Sequence, residues 1–200
     1  MLSAGELHTV ISQVQGTPYK EVLTRYVDSD AFDTGNRNCF YDLGPHQEGK
    51  RYTPKGGARG IYIAEGVPTA LGEATQKGLA ALKPDRIATR LQMDMSVELK
   101  SVLNLGDARI RRRLQTSIEE LKSPWKGGLL PPYSWSDTWL LGEAVFESER
   151  FDGIRFPSAK VNRHYCVLIL TERMSKSSKL SAHRPGEGLV SLTGDFKLRP

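Results

Sequence analysis

Apolar residues recur at helical spacing in several parts of the chain, and each part predicts an amphipathic helix. Gly16-Thr17-Pro18 ends the first of them, Pro68 suits the first turn of the second, and Ser134-Trp135-Ser136-Asp137 supplies N-cap residue types for the last. The predicted helices cover residues 1–15, 69–82 and 138–149, with a short basic helix over 108–114 that residues 117–121 extend.

Strand signals come from alternation and from runs of β-branched and aromatic residues. The predicted strands cover residues 22–27, 60–64, 87–97, 102–105, 154–156, 164–170 and 189–192. The segment 102–105 is predicted as a separate strand after a tight reversal, and the very apolar 164–170 is predicted to be central. Residues 28–49 are predicted to be a long loop, with at most one short strand near Cys39 to Leu43.

This inventory of six or seven strands and four helices lacks the regular βαβα alternation of a doubly wound sheet. It predicts an α+β fold with a mixed or antiparallel central sheet and flanking helices. Two hundred residues suit one domain with a real core, so the whole chain, 1–200, is expected to form it.

Composition narrows the function classes only a little. A formal charge of +5 and a pI near 9.2 favour anionic partners. The densest basic cluster, Arg109 to Arg113, suits either a solvated helix face or a docking patch. The absence of a membrane-length apolar run and of a signal-peptide pattern predicts a cytoplasmic protein without membrane contact, or export without a cleavable signal. Cys39 and Cys166 are interpreted as reduced structural thiols.

Several common chemistries lack their motifs. The four histidines show no metal-ligand spacing, so no metal is expected. No GxSxG elbow is present, and Gly56-Gly57-Ala58-Arg59-Gly60 precedes a strand, unlike a P-loop or a dinucleotide fingerprint. Arg25 interrupts an apolar strand, which is costly unless it meets an anion or lies on the exposed face.

After these exclusions the sequence still offers several arginines, one tyrosine, one helical glutamate and Ser158 at the end of a strand. These residue types suit cleavage of an N-glycosidic bond to a nicotinamide ring. That ring already carries positive charge and leaves as a neutral molecule, so no general acid is required. One carboxylate can stabilise the oxocarbenium-like transition state, guanidinium groups can hold a pyrophosphate, and a tyrosine can stack on the ring.

Three separated stretches carry a family resemblance. They are GKRYTPKGGARGIYIAEGVPTALGE over residues 49–73, Val102-Leu103-Asn104-Leu105 before a short helix, and Phe151 to Ala159 before a hydrophobic strand. Their order and content resemble the RES domain family over residues 22–170. Lys50 departs from the family pattern, because it separates Gly49 from Arg51.

The resemblance implies an NAD-consuming toxin of a bacterial toxin-antitoxin pair, with a fold similar to the ADP-ribosyltransferase toxins. The implied site residues are Arg25 and Arg51 for the pyrophosphate, Tyr62 on the nicotinamide side, Glu73 for the ribosyl cation, and Ser158 for the nicotinamide ribose or phosphate region. The implied partners are NAD as substrate and a protein antitoxin of the DNA-binding Xre type. Whether residues 1–15 form a homodimer contact stays open.

Three functions follow in order of preference. The first is NAD breakdown by hydrolysis or phosphorolysis. The second is protein ADP-ribosylation, which ranks lower because Leu71 stands where arginine-directed transferases have a second acidic residue. The third is a non-catalytic basic binding module, and no recognisable nucleic-acid recognition motif supports it.

Overall fold

Seven strands and six helices form the residues that the computed structural model describes, which are 1–28, 40, 42–81, 90–125, 136–184 and 188–194. The strands are β1 (Thr17–Asp28), β2 (Ile61–Ala64), β3 (Arg90–Asn104), β4 (Gly153–Pro157), β5 (Tyr165–Ile169), β6 (Lys179–Arg184) and β7 (Gly188–Thr193). The helices are α1 (Ala4–Gln13), α2 (Leu43–Glu48), α3 (Val67–Ala81), α4 (Ala108–Arg113), α5 (Ile118–Lys122) and α6 (Asp137–Glu147). None of the helices described is both long enough and apolar enough to cross a bilayer.

The sheet is mixed, as predicted. Its strand order is β1-β2-β5-β4-β3-β6-β7, and an additional pairing of β1 with β3 joins the first five strands into a closed circuit. The β3–β4 pair is parallel and the others are antiparallel. Strand β5 pairs with β2 on one side and β4 on the other, which confirms its predicted central place.

Two hydrophobic cores lie on opposite faces of this sheet because successive strand residues point in opposite directions. One core is formed mainly by strand residues such as Leu23, Met95 and Val167. The other contains Leu168 and packs against the apolar faces of helices α1 and α6. Residues of both cores, Phe156 and Cys166 of the second and Val27 and Ile63 of the first, contribute to the wall of one cavity.

The prediction of two strands over 87–97 and 102–105 was wrong, because β3 runs without a reversal and pairs with β1 from Arg90 to Val102. No glycine or proline interrupts this segment, and Leu99 continues the buried side of the alternation. The alternation ends where Val102 and Leu103 are both buried, each in a different core. This change in periodicity resembles a new strand in the sequence.

Two further elements were missed. Strand β6 pairs with both β3 and β7, but its serine and lysine content conceals the alternation of Leu180 and Ala182, which are buried. Helix α2 lies in the predicted long loop. The short strand expected near Cys39 to Leu43 is not seen in the described part of that segment: Phe40 and Asp42 belong to no strand and Leu43 begins α2, while Cys39 and Tyr41 lie outside the described residues. The turn at 83–85 and most of the loop at 122–133 also lie outside them.

Candidate functional site

A cavity with a volume of about 540 Å³ opens between the start of α3, the ends of β1 and β2, and the loop around residue 51. This volume suits a small organic ligand. Arg25, Arg51, Tyr62 and Glu73 line it, so the structure brings four of the five predicted site residues to one place. The fifth, Ser158, lies immediately behind Glu73.

Glu73 lies within α3 and is held by a neighbouring hydroxyl. Ser158 Oγ donates a hydrogen bond of 2.6 Å to Glu73 Oε1, and the same Oγ accepts from the backbone N–H groups of Lys160 at 3.1 Å and Val161 at 3.0 Å. Two backbone donors polarise the hydroxyl and strengthen its donation to a carboxylate. The carboxylate therefore reaches the cavity in a fixed orientation.

Ser158 is buried and its hydroxyl is engaged within the protein. Its side chain is only 1% exposed, and its single hydroxyl proton is donated to Glu73. The predicted contact of Ser158 with a nicotinamide ribose or a phosphate group stays a prediction. The motif in the sequence points to Ser158, but only the packing reveals which atom its hydroxyl contacts.

Cys166 is a second neighbour of the carboxylate that sequence analysis interpreted as purely structural. Its Sγ lies 4.0 Å from Glu73 Oε1, and the residue lines the cavity. Burial, together with the nearby Glu73 charge, raises the pKa of the Cys166 thiol. The thiol therefore stays protonated and can act as a weak donor to Glu73.

The guanidinium group of Arg51 is anchored at one end. Its Nη1 donates to the carbonyl oxygens of Leu121 at 2.8 Å and Ser123 at 2.6 Å, at the C-terminal end of α5. A cation is favourable there because the carbonyl end of a helix is electronegative. Nη2 also donates to the carbonyl oxygen of Lys122 at 3.5 Å, so a ligand contact of Arg51 depends on Nε and the second N–H of Nη2.

The hydroxyl of Tyr62 is committed to the protein. It accepts from the backbone N–H of Tyr52 at 3.0 Å and bonds Thr53 Oγ1 at 3.1 Å. Burial raises the pKa of the Tyr62 phenol, so the group is neutral. The ring meets Phe156 edge-on and also lines the cavity, so the ring surface is the part of Tyr62 available to a ligand.

Arg25 lies on β1 between Leu23 and Val27, which share its face by alternation and are both buried. The arginine is half-buried and lines the cavity. The structure therefore does not place it on the exposed face of the strand, which was the alternative to an anion contact.

Two lysines and a tryptophan that sequence analysis had not assigned to the site also line the cavity: Lys50, Lys160 and Trp125. Lys50 forms an ion pair with Glu48, and its carbonyl oxygen accepts from Trp139 Nε1 at 2.7 Å. Lys160 follows Ser158 by two residues, so its proximity to a motif residue was a usable signal. Four cations thus line the cavity, and Glu73 is the only carboxylate among the lining residues described.

A second cavity of about 490 Å³ is a poorer candidate because its charges satisfy one another. Arg155 forms two hydrogen bonds with Glu65, at 2.6 and 2.9 Å, and a third with Asn104 at 3.1 Å. Tyr19 completes the group with a 2.9 Å bond to Glu65. Such a saturated network joins β1, β3 and β4 to the residue that follows β2, and it leaves little charge for a ligand.

The fold and the first cavity together define a class: a mixed α+β domain whose cavity sets one oriented carboxylate among several cations. The family model described as RES domain matches residues 24–187, and the chain belongs to the RES domain family. The family resemblance seen in the sequence is thereby confirmed.

Among solved structures, this protein is similar to a chain in the crystal structure of the M. tuberculosis MbcT–MbcA toxin-antitoxin complex. The two chains share 17% sequence identity with a TM-score of 0.62, and the match covers 95% of this chain and 93% of the chain in the complex. At this identity the likeness shows the fold. No curated protein matches the chain.

Proposed function

We propose that the chain is the toxin of a toxin-antitoxin pair and that it consumes NAD by cleaving the nicotinamide N-glycosidic bond. The observation that carries this proposal is the Glu73 carboxylate, fixed by Ser158 at the wall of a cavity lined by four cations. Membership of the RES domain family and the fold shared with a chain of a toxin-antitoxin complex also support it.

The chemistry follows from the charge of the substrate. When the C–N bond breaks, its electron pair leaves with the nicotinamide, which becomes neutral and needs no proton. Positive charge develops on the ribose, where a preorganised carboxylate stabilises it far more than it stabilises the ground state. Glu73 is the cavity residue that can supply this stabilisation, and we assign it that role.

The remaining residues bind the rest of the dinucleotide. Arg25 and the unanchored part of the Arg51 guanidinium bind the pyrophosphate, because guanidinium groups donate in the directions that phosphate oxygens accept. The ring of Tyr62 packs on the nicotinamide side. Ser158 orients Glu73.

The group that captures the ribosyl cation decides the reaction. Water gives hydrolysis, phosphate gives phosphorolysis, and a protein side chain gives ADP-ribosylation. Leu71, two residues before Glu73, is 47% exposed and carries no acidic group that could activate an arginine acceptor. We therefore rank breakdown of free NAD above protein ADP-ribosylation.

A non-catalytic basic module is the weakest reading of the site. Three of the four clustered arginines have internal partners. Arg109 pairs with Asp107, Arg111 Nη1 donates to the carbonyls of Leu105 and Gly106, both at 2.7 Å, and Arg112 Nε donates to the carbonyl of Ala108 at 3.4 Å. These contacts fasten the start of α4 and reduce the charge that the cluster offers to a polyanion.

We also propose a protein antitoxin as partner, because the structurally similar chain comes from a toxin-antitoxin complex. That the antitoxin is of the DNA-binding Xre type is implied only by the family resemblance and stays a prediction. Homodimer formation through residues 1–15 stays a prediction. Leu7 and Ile11 of α1 are buried against the chain's own core, so such a contact falls to the other face of that helix.

The test is incubation of the purified protein with NAD, with nicotinamide release followed by chromatography in buffers with and without phosphate. We expect release, with ADP-ribose or its phosphate ester as the second product. Mass spectrometry of added protein for an ADP-ribose adduct separates the transferase reaction. Absence of nicotinamide release under all conditions, or release that survives the Glu73→Ala substitution, would overturn the proposal.

A further inference from the structure

Cys166 places a thiol against the Glu73 carboxylate. Its Sγ lies 4.0 Å from Glu73 Oε1, the same oxygen that accepts from Ser158 Oγ. The residue lines the cavity although it is only 5% exposed. A second donor therefore faces the carboxylate at a point that bulk water hardly reaches.

The register of the sheet explains this meeting. Cys166 lies opposite Phe156 of β4 and Ala64 of β2, so the three side chains share one face. Ser158 follows Phe156 by two residues and continues on that face, and its backbone N–H donates to the carbonyl of His164 at 2.8 Å. Cys166 and Ser158 are therefore diagonal neighbours, a relation in which cross-strand side chains are within reach of each other.

Small residues leave space for the carboxylate beside this pair. Ala64, opposite Cys166, and Ala70, about one turn before Glu73 on α3, are buried in the core that also contains Cys166. Neither alanine has a polar side-chain atom. Among the described residues, the side-chain donors to Glu73 are thus one hydroxyl and one thiol, and both are directed at Oε1.

Two donors hold one carboxylate oxygen more firmly than a single donor does. One hydrogen bond leaves the carboxylate free to rotate about its last side-chain bond, and a second bond from another strand restricts that rotation. Burial and the nearby Glu73 charge raise the pKa of the Cys166 thiol, so the thiol keeps the proton that it donates. A carboxylate fixed in advance needs little reorganisation when positive charge develops beside it.

We infer that Cys166 is a positioning residue for the cleavage of NAD. Its thiol donates a second hydrogen bond to Glu73 Oε1 and thereby turns Oε2 toward the ribose. This inference rests on the proposed function. Cys166 forms no bond to the substrate and changes neither its covalent nor its redox state. A cysteine that only filled space in the core would act through its volume and not through its proton.

Steady-state kinetics of nicotinamide release compares the wild type with Cys166→Ala and Cys166→Ser. Loss of a weak hydrogen bond in Cys166→Ala should lower kcat about 3- to 10-fold and leave KM for NAD near its wild-type value. Cys166→Ser keeps a proton donor, so its kcat should return to within about twofold of wild type. Val167→Ala is the matched control for lost packing, because Val167 follows Cys166 on β5, is buried in the other core and does not line the cavity. Its kcat per folded molecule should equal that of the wild type.

Three kinetic results would overturn the inference. An unchanged kcat in Cys166→Ala makes the thiol dispensable. An equal loss in Cys166→Ala and Cys166→Ser assigns the effect to packing. A rise in KM for NAD with kcat unaltered makes Cys166 a substrate contact and not a positioning residue.

The hydrogen bond itself can be observed without turnover and without any change at Cys166. The chain has two cysteines, so a Cys39→Ser background leaves the thiol of Cys166 alone. The S–H stretching band of this protein in the infrared should lie at lower frequency than in the same background with Glu73→Gln, because an amide accepts a weaker hydrogen bond than a carboxylate. Identical bands would show that the thiol does not donate to Glu73, and the inference would be wrong even for an enzyme that consumes NAD.

Failure of the proposed function gives a different result. A wild type that releases no nicotinamide would contradict the proposed cleavage of NAD and, with it, a positioning role in that reaction. The infrared comparison remains decisive for the contact itself, because a band at lower frequency upholds the hydrogen bond from Cys166 to Glu73 whichever ligand the cavity takes.

Discussion

Two carboxylates of this protein, Asp152 and Glu73, differ in the number of hydrogen-bond donors that surround them. Asp152 is 2% exposed and accepts from the backbone N–H groups of Lys100 at 2.8 Å, Ser101 at 2.9 Å and Ser175 at 2.6 Å. The hydroxyl of Ser178 adds a further bond of 2.8 Å.

Glu73 instead receives one hydroxyl and one weak thiol donor, both on Oε1, and Oε2 has no partner among the residues described. Donors surround Asp152 on both oxygens, so it fastens β3 to the chain segments around β4 and β6. Glu73 is held on one side only and lines a cavity, so it retains charge for a ligand. The number of internal donors therefore distinguishes Asp152 from Glu73, the carboxylate to which the proposed function assigns a chemical role.

The largest expected effect belongs to Glu73→Gln. The substitution keeps the shape of the side chain and removes its charge, so turnover of NAD should fall roughly 10²- to 10³-fold, as for loss of a main electrostatic group. The midpoint of thermal unfolding should stay close to that of the wild type. A large fall in this midpoint would place Glu73 with the structural carboxylates.

Asp152→Asn should show the reverse pattern. Its amide NH₂ would face backbone N–H donors, so we expect the free energy of unfolding to fall by about 2–4 kcal/mol. This corresponds to roughly 5–15 °C in the unfolding midpoint of a chain of this length. Turnover per folded molecule, measured well below the midpoint, should remain near wild type. Asp137→Asn, at an exposed aspartate of α6, provides the control.

Ser158→Ala tests whether a buried hydroxyl that holds Glu73 in place also affects turnover of NAD. Removal of the hydroxyl leaves Glu73 unoriented, so kcat should fall about 10- to 100-fold with little change in KM for NAD. Steady-state kinetics separates this result from a direct substrate contact, for which KM would rise. Some loss of stability is also expected, since two backbone N–H groups lose their acceptor.

The smallest expected effect is on the free energy of unfolding and concerns a third carboxylate, Glu143. Its buried oxygen Oε2 has no partner within the described residues. Burial, reinforced by Glu147 and opposed by His8, raises the pKa of the Glu143 carboxyl above its usual value. The protonated form is therefore favoured by folding, and stability is lost as the pH rises from the usual value through the raised one. Glu143 lines neither of the two cavities described above.

Replacement of Glu143 by Gln removes that pH dependence. The variant should be more stable than the wild type near neutral pH, by less than about 1 kcal/mol because solvent screens the site. The difference should shrink as the pH falls below the usual carboxyl value. Unfolding midpoints measured across this pH range check the sign, and a variant that is less stable near neutral pH contradicts it.

Much of the fold could be predicted where local pattern and tertiary environment agree. Helices α1, α3 and α6 follow the apolar spacing, and Ser136 caps α6 as its residue type indicates, accepting from the backbone N–H of Trp139 at 3.3 Å. Prediction failed where burial changes along an element. Strand β3 was split because Val102 and Leu103 enter different cores, and β6 was missed because small polar residues hide its alternation.

The candidate site, too, could be predicted from the sequence only in part. Motif order alone pointed to Arg25, Arg51, Tyr62, Glu73 and Ser158, and the structure gathers them around or directly behind one cavity. The sequence did not reveal that α5 carbonyls anchor Arg51. Nor did it place Lys160 at the cavity wall, because such contacts join residues that lie far apart along the chain.

The sequence by itself determined the family, the elements with strong periodicity and the residue types available for chemistry, since these depend on local order and composition. Only the tertiary structure decided which partner each polar atom has. That choice separates Asp152 from Glu73, because the environment of a carboxylate is set by donors brought together from distant segments.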